Sequence, residues 1–177
     1  GAANSFCGGK TFPEDKTENA RSTGILVTYG KFRMLDLGDL TSQKELEIVC
    51  PNNRLGKIDL YLTTHHGLNA SNAQAIVHGV APRVAIMNNG AKKGGSPEAW
   101  QIIRSSPGLE DFWQLHFSEF VPKDMQSPDN FIANFTKDDG GNYIKATARS
   151  DGSFTVKNGR NGFTKEYRAN SLGASPS

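Results

Sequence analysis

Apolar residues follow three different rhythms along the chain, and each predicts its own kind of structure. Residues 1–22 show no rhythm. They are polar and Gly-rich, open on Gly1-Ala2-Ala3 as a trimmed start would, and read as an irregular arm. From Gly24 to Tyr29 an apolar, β-branched run predicts a strand. Gly30-Lys31, with Gly first, fits a type II′ hairpin turn, and Phe32–Leu37 is the return strand. A short helix is expected over Thr41–Cys50, stopped by Pro51. Lys57–Thr64 reads as the next strand and ends at His65-His66-Gly67. Ser71 stands where it could cap a helix over 72–80, whose Ala73, Ile76, Val77 and Val80 share one face. Arg83–Met87 predicts another strand. Ser96-Pro97-Glu98 opens a helix with Ala99, Ile102 and Ile103 inward, and Pro107-Gly108 stops it. Leu109, Phe112, Trp113 and His116 keep helical spacing, so a further helix is expected there.

After about residue 120 the rhythm changes. Phe131–Phe135 is strand-like, and segments 142–148, 153–157 and 163–167 are short and β-prone. Asp151-Gly152, Asn158-Gly159 and Asn161-Gly162 punctuate them as hairpin turns. The expected layout is an irregular arm (1–22), an alternating strand–helix region (23–120), a β-rich meander (121–170) and a tail (171–177).

Composition narrows the function classes. Apolar residues make up 36% of 177, enough with the 19 glycines for an ordinary globular core. Net charge is +2, with no block of like charge, which is far from the basic face of a dedicated nucleic-acid binder. No apolar run is long enough to span a membrane. Two cysteines are too few for a disulfide scaffold or a Cys-rich zinc module. Cys7 and Cys50 either pair, closing the chain between them, or stay as two buried free thiols, and the free form is favoured.

Two places could carry chemistry. Leu35-Asp36-Leu37-Gly38-Asp39 runs an apolar strand into a glycine and then an acid, so that Asp39 can point into a cleft; the same residue could instead cap the helix near Thr41. Leu62–Gly67 ends a strand on His65 and His66. Twenty-six residues separate Asp39 from His65, a span that suits strand–helix–strand and two adjacent parallel strand ends. Carboxylate beside imidazole suits zinc, iron or manganese. His78 reads as a surface residue and His116 as a satisfied core histidine.

Taken together, Glu18-Asn19-Ala20-Arg21-Ser22, the hairpin, Leu37-Gly38-Asp39 and Thr64-His65-His66-Gly67 resemble the second half of a metallo-β-lactamase-fold hydrolase. The pattern is similar to the ComEC-type branch, the hydrolase domain of the DNA-uptake competence protein. The resemblance covers about residues 18–105, with Leu37 in place of the usual Thr and Leu68 in place of the usual Ser. It implies an α+β fold of the αββα-sandwich family, present here as its C-terminal half with a terminal β-meander. It implies Asp39 as the carboxylate bridging two metal ions and one of His65 and His66 as the last histidine ligand. Asn19 falls where many relatives carry a further histidine. The implied cofactor is a divalent metal in the parent enzyme, zinc or else manganese or iron, held weakly if at all by this chain.

The family's His-x-His-x-Asp-His string is absent from the sequence. The chain therefore reads as a fragment of a metal-dependent hydrolase acting on phosphodiester- or ester-type substrates, inactive alone and carrying half a dinuclear site. The alternative is a non-catalytic binding or interaction module built on a degenerate half-fold. The expected partners are the missing N-terminal half or a second copy covering the bare sheet face, the alternative being that the C-terminal meander folds over that face; nucleic acid enters by analogy with the family alone.

Overall fold

The computed structural model describes residues 1–136 and 140–170; the expected tail 171–177 lies outside them. A short pair, β1 (Ala2–Ala3) with β4 (Asn52–Asn53), pins the start of the arm. The main sheet has six strands: β2 (Ile25–Tyr29), β3 (Phe32–Asp36), β5 (Leu60–Leu62), β6 (Val84–Met87), β7 (Asp111–His116) and β8 (Ile132–Asn134), in that spatial order. Strands β3, β5, β6, β7 and β8 run parallel, and β2 joins antiparallel through the hairpin. Tyr29 pairs with Phe32, which leaves Gly30-Lys31 as a two-residue turn with Gly30 at φ +59°, as the sequence predicts.

Three helices return the chain between parallel strands: α1 (Ser42–Val49), α2 (Gln74–Val80) and α3 (Pro97–Arg104). Their N-termini therefore gather at the carboxyl edge of the sheet, where ligands of open α/β sheets bind. Strand alternation divides the core in two. Leu35, Tyr61, Ala85, Met87 and Phe112 face the helices and pack against Val49, Ile76, Val77, Val80, Trp100 and Ile103. Phe32, Leu60, Val84, Ile86 and Trp113 face the other way.

That second face is not bare. The meander of β9 (Ile144–Ala148), β10 (Phe154–Asn158) and β11 (Thr164–Tyr167) lies over it, burying Phe154, Val156 and Tyr167. Trp113 Nε1–H donates to Tyr167 Oη at 2.9 Å, tying sheet to meander at the centre of this layer. Of the two covers considered for this face, the meander is the one observed. Only the outer strand β2 escapes the cover: Ile25, Val27 and Tyr29 are 52%, 41% and 55% exposed.

Three expectations are corrected. The segment expected as a helix at 109–116 holds β7, a central strand buried on both faces. There Phe112 and Trp113 go to opposite cores, and Gln114 is fully buried and hydrogen-bonded to Gln126 and Ser127. His78 is buried, with Nε2 donating to the Ile102 carbonyl and its ring edge-on to Phe6. Cys7 and Cys50 form a disulfide, their Cα atoms 5.7 Å apart, in place of two free thiols.

Candidate functional site

Strand β3 runs into Gly38, whose φ of +56° is open to glycine at low cost and turns the chain toward Asp39. Its neighbour β5 ends in a one-turn helix, Thr64–Gly67. The two loops are stitched together where His65 N–H donates to Gly38 O at 2.9 Å. Parallel pairing of β3 with β5 thus sets Asp39 beside the histidine loop, where its Oδ1 lies 3.5 Å from His66 Nε2.

The histidine loop is strained. His65 (φ 53°, ψ 45°), His66 (φ 57°, ψ 20°) and Gly67 (φ 75°) are three successive left-handed residues, and each non-Gly residue there costs about 1–2 kcal/mol. Surrounding groups over-determine the shape. Asn72 Nδ2 donates to both Thr64 O and Leu68 O, and Tyr61 O–H donates to Asn72 Oδ1. From the opposite side Gly95 N–H donates to His66 O and Ser96 N–H to Gly67 O, both at 2.9 Å. A Cβ on Gly94 would lie 1.9 Å from His66 O, so this approach needs glycine.

The proton positions follow from the partners. Ser71 O–H is spent on Leu40 O at 2.7 Å, so the 3.3 Å contact with His65 requires Nδ1–H of the imidazole to donate. His66 Nδ1 lies 3.1 Å from Asn88 O, which only accepts, so it too carries the proton. In the neutral rings both Nε2 atoms are left with lone pairs. His66 Nε2 then faces Asp39 Oδ1 at 3.5 Å, two acceptors near enough to share one donor or one cation.

Burial holds the His65 imidazole below its ordinary value. Asp39 opposes the effect, while the charges of His66 and Lys93 add to it and that of Asp15 opposes it. Asp15 and Lys93 were not singled out from the sequence. Asp15, in the arm, accepts Thr41 Oγ1–H at 2.7 Å, and hydrogen bonds from Thr17 and Thr41 hold its carboxyl below the usual carboxylate range. Lys92-Lys93-Gly94-Gly95 was the available signal for Lys93: a basic, Gly-rich step between strand and helix. Asn19 is half-buried in the turn Glu18–Arg21, and among the described residues its side chain has no hydrogen bond to Asp39, His65 or His66. Asp39 does not cap α1; the capping position is Thr41. His116, at the end of β7, is half-buried with Nδ1 against Phe117 O.

Among the described residues no three His, Cys, Asp or Glu side chains gather closely enough to hold a metal ion. No described helix is long and apolar enough to cross a membrane. No family model, curated protein or solved structure matches the chain.

Proposed function

We propose that this chain carries half of the metal site of a metallo-hydrolase, built on the C-terminal half of an αββα sandwich whose second face is taken in part by the meander. The observation that carries the reading is the Asp39–His66 pair. Two acceptors held at 3.5 Å by a strained, over-determined loop are suited to sharing a cation. Zinc–nitrogen and zinc–oxygen distances of about 2.0–2.2 Å at a tetrahedral angle set two ligands about 3.4 Å apart, close to that separation. His65 Nε2, with its lone pair free, is the next donor in the loop. Asn19 stays at most a neutral neighbour. A metal bound here would supply an activated water and charge stabilisation for an ester or phosphodiester substrate. Two donors, Asp39 and His66, leave the remaining positions to water, so the chain alone holds one ion weakly and turns over nothing.

The test is a zinc titration of the full chain by calorimetry, alongside hydrolysis of a generic phosphodiester. One weak equivalent is expected, with binding reduced at least about tenfold by Asp39→Ala or His66→Ala, since each removes one of few ligands. Two tightly bound ions, or turnover abolished by Asp39→Ala, would mean that the site is complete. No binding at all would favour the second reading, a non-catalytic binding module. The lack of a third ligating residue among those described speaks for that reading.

The same proposal assigns β2 to a partner. An edge strand with Ile25, Val27 and Tyr29 outward and no charged residue between Gly24 and Gly30 lacks the usual protection against pairing. The missing half of the fold or a second copy would cover it. Light scattering is expected to show self-association that Val27→Lys weakens; a 19.2 kDa particle at all concentrations would contradict it.

A further inference from the structure

The outer edge of the main sheet carries unmet backbone groups in a fixed order. Tyr29 faces Phe32 across the two-residue turn, so this pair exchanges hydrogen bonds. Alternation then aims the N–H and C=O of Ile25, Val27 and Tyr29 at β3, and those of Leu26 and Thr28 away from it. Arg33, which faces Thr28 on β3, shows the same phase: its N–H donates to Asp59 Oδ2 and its C=O accepts Asp59 N–H, on the side away from β2. Among the described residues no group takes the outward N–H and C=O of Leu26 and Thr28. The strand is also held ready, since Lys31 N–H donates to Ser150 O at 2.9 Å and ties the hairpin tip to the meander. All five residues of β2 are exposed, and none is charged or a proline.

This edge is complementary to itself. A two-fold axis through Val27 sets Leu26 opposite Thr28 of a second copy, so each Leu26–Thr28 pair exchanges both of its hydrogen bonds. Ile25 then meets Tyr29 of the second copy, a β-branched residue against an aromatic one, which is a favourable cross-strand pair. Val27 meets its own mate. A slip of one residue would set outward groups against inward ones. A slip of two would bring Gly24 or Gly30 opposite, and Gly30, at φ +59°, has already turned out of the strand. The charges agree with the same axis. Lys44 and Glu47 of α1 line the groove beside Leu26. The two-fold runs α1 antiparallel to its mate, so the lysine of each copy looks toward the glutamate of the other.

We propose that β2 pairs antiparallel with β2 of a second copy of this chain, about Val27, joining the two six-stranded sheets into one. This rests on the assignment of β2 to a partner and not on the metal site. Five strand residues a side are far fewer than the roughly 20–30 of a standard interface, so the dimer dissociates at about 10–100 µM.

Sedimentation velocity of the full chain across that range is expected to show a mass rising from 19.2 kDa toward twice that value. Cross-linking then reads the register. In Val27→Cys the two Cα atoms form a non-hydrogen-bonded pair about 4.5 Å apart, within the span of a disulfide. Air oxidation of this variant, with the native bond intact, should give a covalent dimer on a non-reducing gel. Thr28→Cys should give none, because its two Cα atoms are offset along the strands to about 9 Å. A 19.2 kDa particle at every concentration would overturn the proposal and leave the edge to the missing half. Equal cross-linking of the two variants would overturn the pairing about Val27. Self-association that Val27→Lys weakens, without a Val27→Cys cross-link, would keep a partner on β2 and still overturn this pairing.

Discussion

Replacing Glu45 with Gln is expected to flatten the dependence of stability on pH between about pH 5 and 7 and to loosen the histidine loop. Glu45 sits on α1 with no exposed surface, and its oxygens accept Asn72 N–H at 2.9 Å and Ala73 N–H at 2.8 Å at the start of α2. Burial pushes its carboxyl up to about 7, against the lowering effect of those two bonds. An unfolded Glu titrates near its ordinary 4.5. Between those values the folded state holds the proton that the unfolded state has released. Stability is therefore full below about pH 4.5, falls as pH rises, and is flat above about 7, a total of about 3 kcal/mol. Gln cannot ionise and loses that slope. It also turns an NH₂ toward one of two backbone donors, which costs about 1–3 kcal/mol at every pH. Urea unfolding at pH 5, 6, 7 and 8 measures both effects; parallel profiles for the two proteins would remove Glu45 from the account.

His65 works in the opposite sense. With its folded value held low, the unfolded chain takes up a proton first as pH falls through about 6.5, so stability is lost toward acid. The two groups meet at one loop. Glu45 holds Asn72 N–H, and Asn72 holds Thr64 O and Leu68 O on either side of the histidines. Amide signals of residues 64–68 should therefore move in the Gln variant even where overall stability is unchanged.

Much of this arrangement was legible in the residues, because local chemistry and tertiary packing agree there. Gly30-Lys31 demands a hairpin whatever surrounds it, and Ser96-Pro97-Glu98 can only open a helix. The strand endings at Gly38-Asp39 and His65-His66 follow from parallel pairing, which sets consecutive strand ends side by side. The segment 109–116 forms a strand despite its helical spacing because burial on both faces erases the alternation that marks a strand, and Leu109, Phe112, Trp113 and His116 then mimic a helical face. Asp15 was invisible because an irregular arm carries no periodicity; the Thr41 hydroxyl that draws it in is twenty-six residues away. The tautomers of His65 and His66 could not be read from sequence either. They are set by Ser71, Leu40 and Asn88, partners that only the folded loop brings near.

Substituting Cys7 and Cys50 together by Ala, or reducing the bond, should lower stability by about 4 kcal/mol, the chain-entropy value for a loop closed across a separation of 43 residues. For a chain of this length that corresponds to a fall of about 10 °C in melting temperature. The model locates that loss in the unfolded state, which the bond keeps compact. It makes a second statement about the native arm, which has other anchors. Asn4 Nδ2 donates to Val49 O at 3.2 Å and Ala75 O at 2.9 Å, and Phe6 packs edge-on to His78 at 5.2 Å. If the bond acts through the unfolded chain alone, exchange of the hydrogen-bonded amides of residues 6 and 7 in the Ala variant will slow or speed only with global stability. If instead it clamps the arm, those amides will exchange by a local opening well below the global free energy. The polar residues 8–11 that follow Cys7 form no strand or helix. Local opening is accordingly the expected result, with hydrogen exchange of the oxidised and Ala forms as the measurement and equal protection of residues 6 and 7 in both forms as the outcome against it.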